Sequence, residues 1–234
     1  MLRFISARNA SDELPVHRYN LIKRAGPGPR IFTVMQIKRR TIVASNSLKG
    51  KTIAVLMTDG VEQVEFTSPR DYLLQQGATI EVLSPKDAGG HVQGFNHDEK
   101  ADKFKVDKHV RDAKAGDYAA LLLPGGVANP DALRLSKEAI TFIREFAGTE
   151  QPIAAICHGP WTLIDAGVAK SKHMTSWPSL QNDLRNAGAE WTDEQVVIDG
   201  RLITSRKPDD LPAFNKALHE ALQVAPESNA GVSS

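Results

Sequence analysis

Three short runs are apolar at nearly every position: Thr52-Ile53-Ala54-Val55-Leu56-Met57, Tyr118-Ala119-Ala120-Leu121-Leu122-Leu123 and Pro152-Ile153-Ala154-Ala155-Ile156. A strand with one wet face alternates apolar and polar side chains, whereas a strand that is apolar throughout has to be covered on both faces. Helix-like segments separate these runs, and Thr79-Ile80-Glu81-Val82-Leu83 adds another strand. Buried strands alternating with helices make a parallel sheet sandwiched between helical layers. The chain is therefore α/β.

Local signals fill in the order. Ser68-Pro69 offers an N-cap followed by proline at the first helical position, and Gly77 offers the stop. Ser136 caps a helix that places Ile140, Ile143 and Ala147 on one face. Asp199-Gly200 predicts a β-hairpin between 194–198 and 201–205. A last helix repeats Phe214, Ala217, Leu218, Ala221 and Leu222 at helical spacing. The expected architecture is a flavodoxin-like sandwich, mostly parallel sheet with helices on both faces, plus a β-hairpin.

Charge divides the chain. Residues 1–47 hold nine Lys/Arg against Asp12 and Glu13, while the rest carries a net charge of −6. The leader has no sustained period and is broken by Gly26-Pro27-Gly28-Pro29, so it is expected to be a mostly disordered basic extension. An organellar targeting peptide and a misplaced translation start are the other readings. Residues 48–225 are expected to form the α/β domain and 226–234 a flexible tail. The acidic body invites neither nucleic acid nor a membrane surface. The single cysteine cannot form an internal disulfide, and a cytoplasmic location is expected. His91, His97, Asp98 and Glu99 lie in a polar stretch without helical ligand spacing, which favours a solvated loop with short strands over a zinc site.

In parallel α/β sheets reactive groups gather at the carboxyl ends of the strands. Three features coincide there: the turn 59–65, Pro124-Gly125-Gly126, and Cys157-His158-Gly159-Pro160. The last follows a buried strand and opens a helix, the plan of a nucleophile elbow. A helix N-terminus lowers a thiol's pKa, so Cys157 is expected to be a depressed, reactive thiol. An isolated cysteine is more commonly a small buried hydrophobe. A cysteine at a strand end before His-Gly-Pro fits that description poorly.

These residues resemble the PfpI family of intracellular cysteine hydrolases, within the class I glutamine amidotransferase-like superfamily. The matching pieces include 59–65 (Asp-Gly-Val-Glu-Gln-Val-Glu), Leu123-Pro124-Gly125-Gly126, Ala155-Ile156-Cys157-His158-Gly159-Pro160 and Thr175-Ser176-Trp177-Pro178. The resemblance implies Cys157 as nucleophile, His158 as the histidine beside it, and Glu62 as the acid against the sulfur. It implies Asp131 as the acid that orients the histidine of a neighbouring subunit, and Gly126 with the His158 amide as oxyanion hole. The implied function is a stress-protective hydrolase acting on small reactive carbonyls and glycated proteins or peptides, a protein deglycase or cofactor-free glyoxalase. An intracellular cysteine peptidase and a redox-sensing or chaperone-like stress protein are the alternatives. No cofactor and no metal are implied, and a homodimer or homohexamer is expected.

Overall fold

The computed structural model describes residues 47–224. The leader expected over 1–47, Ser47 excepted, and the tail expected over 226–234 lie outside the described residues. The first half runs β1 (Thr52–Leu56), β2 (Val61–Glu62), α1 (Gln63–Gln75), β3 (Thr79–Ser84), β4 (His91–Asn96), β5 (Glu99–Lys105), β6 (Lys108–His109) and β7 (Ala120–Leu123). Then follow α2 (Ala128–Arg134), α3 (Lys137–Ala147), β8 (Ile153–Ile156), α4 (Pro160–Asp165), β9 (His173–Met174) and α5 (Gln181–Asn186). The end is built from β10 (Glu190–Trp191), β11 (Val196–Asp199), β12 (Leu202–Ser205) and α6 (Leu211–Val224).

The main sheet has the order β11-β12-β8-β7-β1-β3-β6. Every neighbouring pair is parallel except β11 and β12, the hairpin that Asp199-Gly200 turns. Successive residues of β1 serve opposite faces. Ile53 and Val55 pack with Phe66, Leu73, Phe214 and Leu218 from α1 and α6. Ala54 and Leu56 pack with Ile140, Ile143, Phe146 and Leu163 from α3 and α4. That two-sided burial is why the strand carries no polar alternation. Ser136 caps α3 as expected, accepting from the Ala139 amide at 3.2 Å.

Two features differ from the sequence reading. Helix α1 starts at Gln63, five residues before Ser68, and contains Pro69. The proline withholds one amide from the ladder, and burial of Phe66 and Leu73, each worth about 2 kcal/mol, outweighs that loss. Its far end is as expected: Gly77 (φ 90°) follows the C-cap, with Gly77 N–H donating to Leu74 and Ala78 N–H to Leu73. The polar stretch after β3 is an ordered antiparallel hairpin, β4–β5, extended by β2 into a second, three-stranded sheet. His91 opens this hairpin's first strand and His97 sits at its tip, about 20 Å further along an extended chain, so the histidines do not converge.

Among the described residues, no helix is long and apolar enough to cross a membrane.

Candidate active site

The strand β8 ends at Ile156, and the next residue, Cys157, takes φ 60°. This left-handed conformation costs an L-residue about 1–2 kcal/mol, so it persists only where neighbours hold it. The Cys157 N–H donates to Ser205 O at 3.1 Å, and its carbonyl accepts from Trp177 N–H at 2.9 Å. Gly159 makes the approach to β7 tight enough to turn: a Cβ there would lie 2.3 Å from Leu123 O. The elbow expected from the sequence is formed.

Opposite the elbow, β7 runs into Pro124-Gly125-Gly126. A Cβ on Gly125 would lie 2.7 Å from Cys157 Cβ and 2.7 Å from Glu65 Oε2, so only glycine admits the sulfur and the acid together. Gly126 takes φ 76°. The amides of Gly126 and His158, the pair expected as an oxyanion hole, both face the Cys157 sulfur and pull its thiol pKa down. Asn129, fully buried, ties this loop to the end of β1. Its Oδ1 accepts from Thr58 N–H at 2.7 Å, and its Nδ2 donates to Pro124 O at 2.9 Å and Gly125 O at 3.1 Å.

The acid against the sulfur is Glu65, a correction to the expectation for Glu62. Glu65 is fully buried, accepts from Gly125 N–H at 2.8 Å and meets the Cys157 side chain. The early start of α1 explains the exchange. Glu62 becomes the N-cap residue, and Glu65 falls one turn later on the inward face. Glu62 still lines the cavity, where its Oε2 accepts from the His97 N–H at 3.0 Å. Glu65 Oε1 is buried and unpartnered.

Burial pushes the Glu65 carboxyl up to about 8, against the pull of the Gly125 amide and the Cys157 side chain, with Glu62 adding repulsion. The Cys157 thiol is also pushed up, by burial first and then by the Glu65 carboxylate, while the Gly126 and His158 amides pull it down. The depressed thiol expected from the helix terminus alone is therefore corrected. The elbow supplies the amides, but burial and the carboxylate oppose them. A carboxyl that keeps its proton near neutral pH removes its own share of that opposition.

His158 Nδ1 lies 3.2 Å from Cys157 Sγ. Its ring stacks on Trp177 with centroids 5.8 Å apart and meets Trp161 edge-on at 5.4 Å, and Nε2 is 3.5 Å from Ser179 Oγ. Burial lowers its pKa, favouring the neutral ring. Asp131 sits in the first turn of α2, exposed and outside the cavity wall of its own chain. The cavity has a volume of 610 Å³, with Cys157 and Glu65 at its floor and Phe95, Val127 and Trp177 among its apolar walls. No group of His, Cys, Asp and Glu among the described residues could hold a metal ion.

Sequence reasoning did not single out Asn129, Phe95 or Glu65. The periodicity that places Glu65 inward was obscured by Ser68-Pro69, which reads as a helix start. Asn129 carries no distinctive signal, because its role is to join the carbonyls of its own loop to Thr58, a distant backbone group at the end of β1.

The DJ-1/PfpI family profile matches residues 51–221. "Putative cysteine protease YraA" of Bacillus subtilis (strain 168) is 43% identical over 166 residues, covering 71% of this chain and 95% of that protein. "Protein/nucleic acid deglycase 2" of Escherichia coli (strain K12) is 42% identical over 175 residues, covering 74% and 97%. Among solved structures, Drosophila melanogaster DJ-1beta superimposes with a TM-score of 0.66 at 30% identity, covering 76% of this chain and 92% of that one. The buried elbow cysteine and its glutamate thus sit in a chain that belongs to the DJ-1/PfpI family.

Proposed function

We propose that this protein is a cysteine-dependent hydrolase of reactive carbonyls, acting on small aldehydes or on the adducts they form with proteins and peptides. The observation that carries this reading is the placement of Cys157, only 6% exposed, beside a carboxyl that holds its proton up to about pH 8. A small carbonyl reaches that floor. Burial favours the neutral His158 ring, the form that can take the thiol proton, and its described partners are a thiol, a hydroxyl and indole rings.

For a 2-oxoaldehyde the steps balance without an added oxidant or reductant. The Cys157 sulfur, its proton taken by His158, adds to the aldehyde carbon, and the carbonyl electrons move onto oxygen. That oxygen meets the Gly126 and His158 amides and takes the Glu65 proton, giving a hemithioacetal. Ionised Glu65 then removes the proton on the former aldehyde carbon to give an enediol whose second oxygen takes up a proton; return of the proton to the adjacent carbon and loss of the first oxygen's proton leave a thioester. Water cleaves the C–S bond to yield a 2-hydroxy acid and the free thiol. With an amine adduct, the amine leaves before the thioester forms. Asp131 belongs to this proposal only through a second copy of the chain, where it would orient the His158 imidazole.

The test is product analysis of purified protein with methylglyoxal, a methylglyoxal-modified peptide and the unmodified peptide, alongside Cys157→Ala. Lactate in the first two, lost in the variant, supports the reading. Cleavage of the unmodified peptide points to the peptidase, and no product at all points to a redox sensor.

A further inference from the structure

The cavity above Cys157 is walled by more carboxylates than cations. Asp59, Glu62, Glu65 and Asp98 line it, and no lysine or arginine does. Two of the four carry little free charge. Asp59 is paired with Lys86 Nζ at 2.5 Å and accepts from Gln93 N–H at 2.8 Å. Glu65 keeps its proton near neutral pH. Glu62 and Asp98 remain, facing the same opening from the start of α1 and the tip of the β4–β5 hairpin. Glu62 accepts one amide hydrogen bond and has His97 Nδ1 at 3.7 Å, while Asp98 is exposed. Glu65, in the same wall, has a buried Oε1 without a hydrogen-bond partner. Beside these sit Phe95 and Trp177, apolar surface of the kind that holds the stem of a guanidinium or ammonium group.

We propose that this cavity sorts carbonyl substrates by charge, admitting uncharged carbonyls and those carried on a cationic amine or guanidine, and rejecting those with phosphate or carboxylate near the reacting carbon. Glu62 and Asp98 are the specificity residues. The field of two like charges at a low-dielectric opening acts before any bond is made. It therefore controls every reagent that approaches the sulfur, whether or not turnover follows. The consequence for hydrolysis rests on the proposed carbonyl chemistry, but the charge selection itself does not.

The chain's single cysteine makes a direct measurement available. Cys157 is labelled near neutral pH and low ionic strength with methanethiosulfonates bearing a trimethylammonium, an uncharged methyl or a sulfonate group. Each rate is divided by that of N-acetylcysteine amide. The cationic reagent should outrun the anionic one by about tenfold or more, with the gap collapsing in high salt. Glu62→Gln and Asp98→Asn should each shrink the gap severalfold, and the pair together should remove most of it. Asp98, exposed at a hairpin tip, keeps the test available if Glu62→Gln folds poorly.

Equal normalised rates, a faster anion, or a gap untouched by Asp98→Asn would overturn the assignment. Methylglyoxal adducts of acetyl-arginine amide, of an uncharged amide and of a nucleotide phosphate then separate this proposal from the chemistry. Discrimination by the reagents with no adduct turned over leaves charge selection standing and removes the hydrolase reading. Uniform turnover of all three adducts with no reagent discrimination does the reverse.

Discussion

Glu65 sets the balance between stability and chemistry at the scale of single residues. Its carboxyl titrates at about 8 in the folded chain against an ordinary value of 4.5. Between those limits the native state holds one more proton than the unfolded state, so stability falls as pH rises through the window. The full cost, reached above pH 8, is on the order of 5 kcal/mol. Glu65→Gln keeps an acceptor for the Gly125 amide and a donor for the sulfur but cannot ionise. Its unfolding free energy should stay flat from pH 5 to pH 8 while that of the parent declines, which chemical denaturation at several pH values would read. The same change removes the carboxylate that pushes Cys157 up, so half-maximal alkylation should move to lower pH. Turnover should nevertheless drop by about a hundredfold or more, because an amide cannot pass a proton. A variant that is more stable, more readily alkylated and less active would separate proton transfer from mere packing. Glu62→Gln should leave turnover of an uncharged carbonyl within about threefold, since Glu62 binds the hairpin tip and not the sulfur.

Between elements, the site is a meeting of three strand ends, and its tolerance is set by backbone approach. Gly125 and Asn129 hold the β7 loop against β1 and the elbow. Gly125→Ala places a methyl 2.7 Å from Cys157 Cβ and 2.8 Å from the His158 amide nitrogen. It should abolish labelling of Cys157 before it abolishes folding, as read by thiol reactivity beside circular dichroism. Asn129→Ala strands the Thr58 amide and the Pro124 carbonyl in the interior and leaves Gly125 O only its 3.4 Å bond from Glu62 N–H, and should lower stability by about 3 kcal/mol in urea titration. These elements also mark what could be read in the chain. The strands and the elbow were legible because continuous apolar runs and Cys-His-Gly-Pro are local patterns. The choice between Glu62 and Glu65 was not, because it depends on where α1 begins, and Pro69 inside the helix imitates a start. The β4–β5 hairpin was legible only as short strands in a solvated loop, without its pairing. Its strand β5, Glu-Lys-Ala-Asp-Lys-Phe-Lys, is largely exposed and pairs without burying an apolar stripe.

At the scale of the whole molecule, the chain brings together a thiol, two amides and a buried carboxyl, yet it leaves His158 without a carboxylate partner among the described residues. Asp131 is exposed on α2 and does not line its own chain's cavity, one turn from Val127, a cavity-wall residue, and from Leu135, which are 59% and 87% exposed. A carboxylate beside the imidazole would fix its tautomer and stabilise the imidazolium formed when the thiol gives up its proton. If a second copy supplies that carboxylate, activity is a property of the assembly and can be restored across subunits. Asp131→Asn and Cys157→Ala proteins, each inactive or nearly so, are mixed under conditions that allow subunit exchange, with exchange followed by native mass spectrometry. Sites joining an intact Asp131 from one chain to an intact Cys157 from the other should regain activity, up to about a quarter of wild type for random pairing in a dimer with one productive site in four. The regained fraction should also show the wild-type dependence on pH, because the restored carboxylate acts on the ionisation of His158. Confirmed exchange without recovered activity would place Asp131 outside the mechanism and leave His158 to work as a neutral base held by Trp161, Trp177 and Ser179.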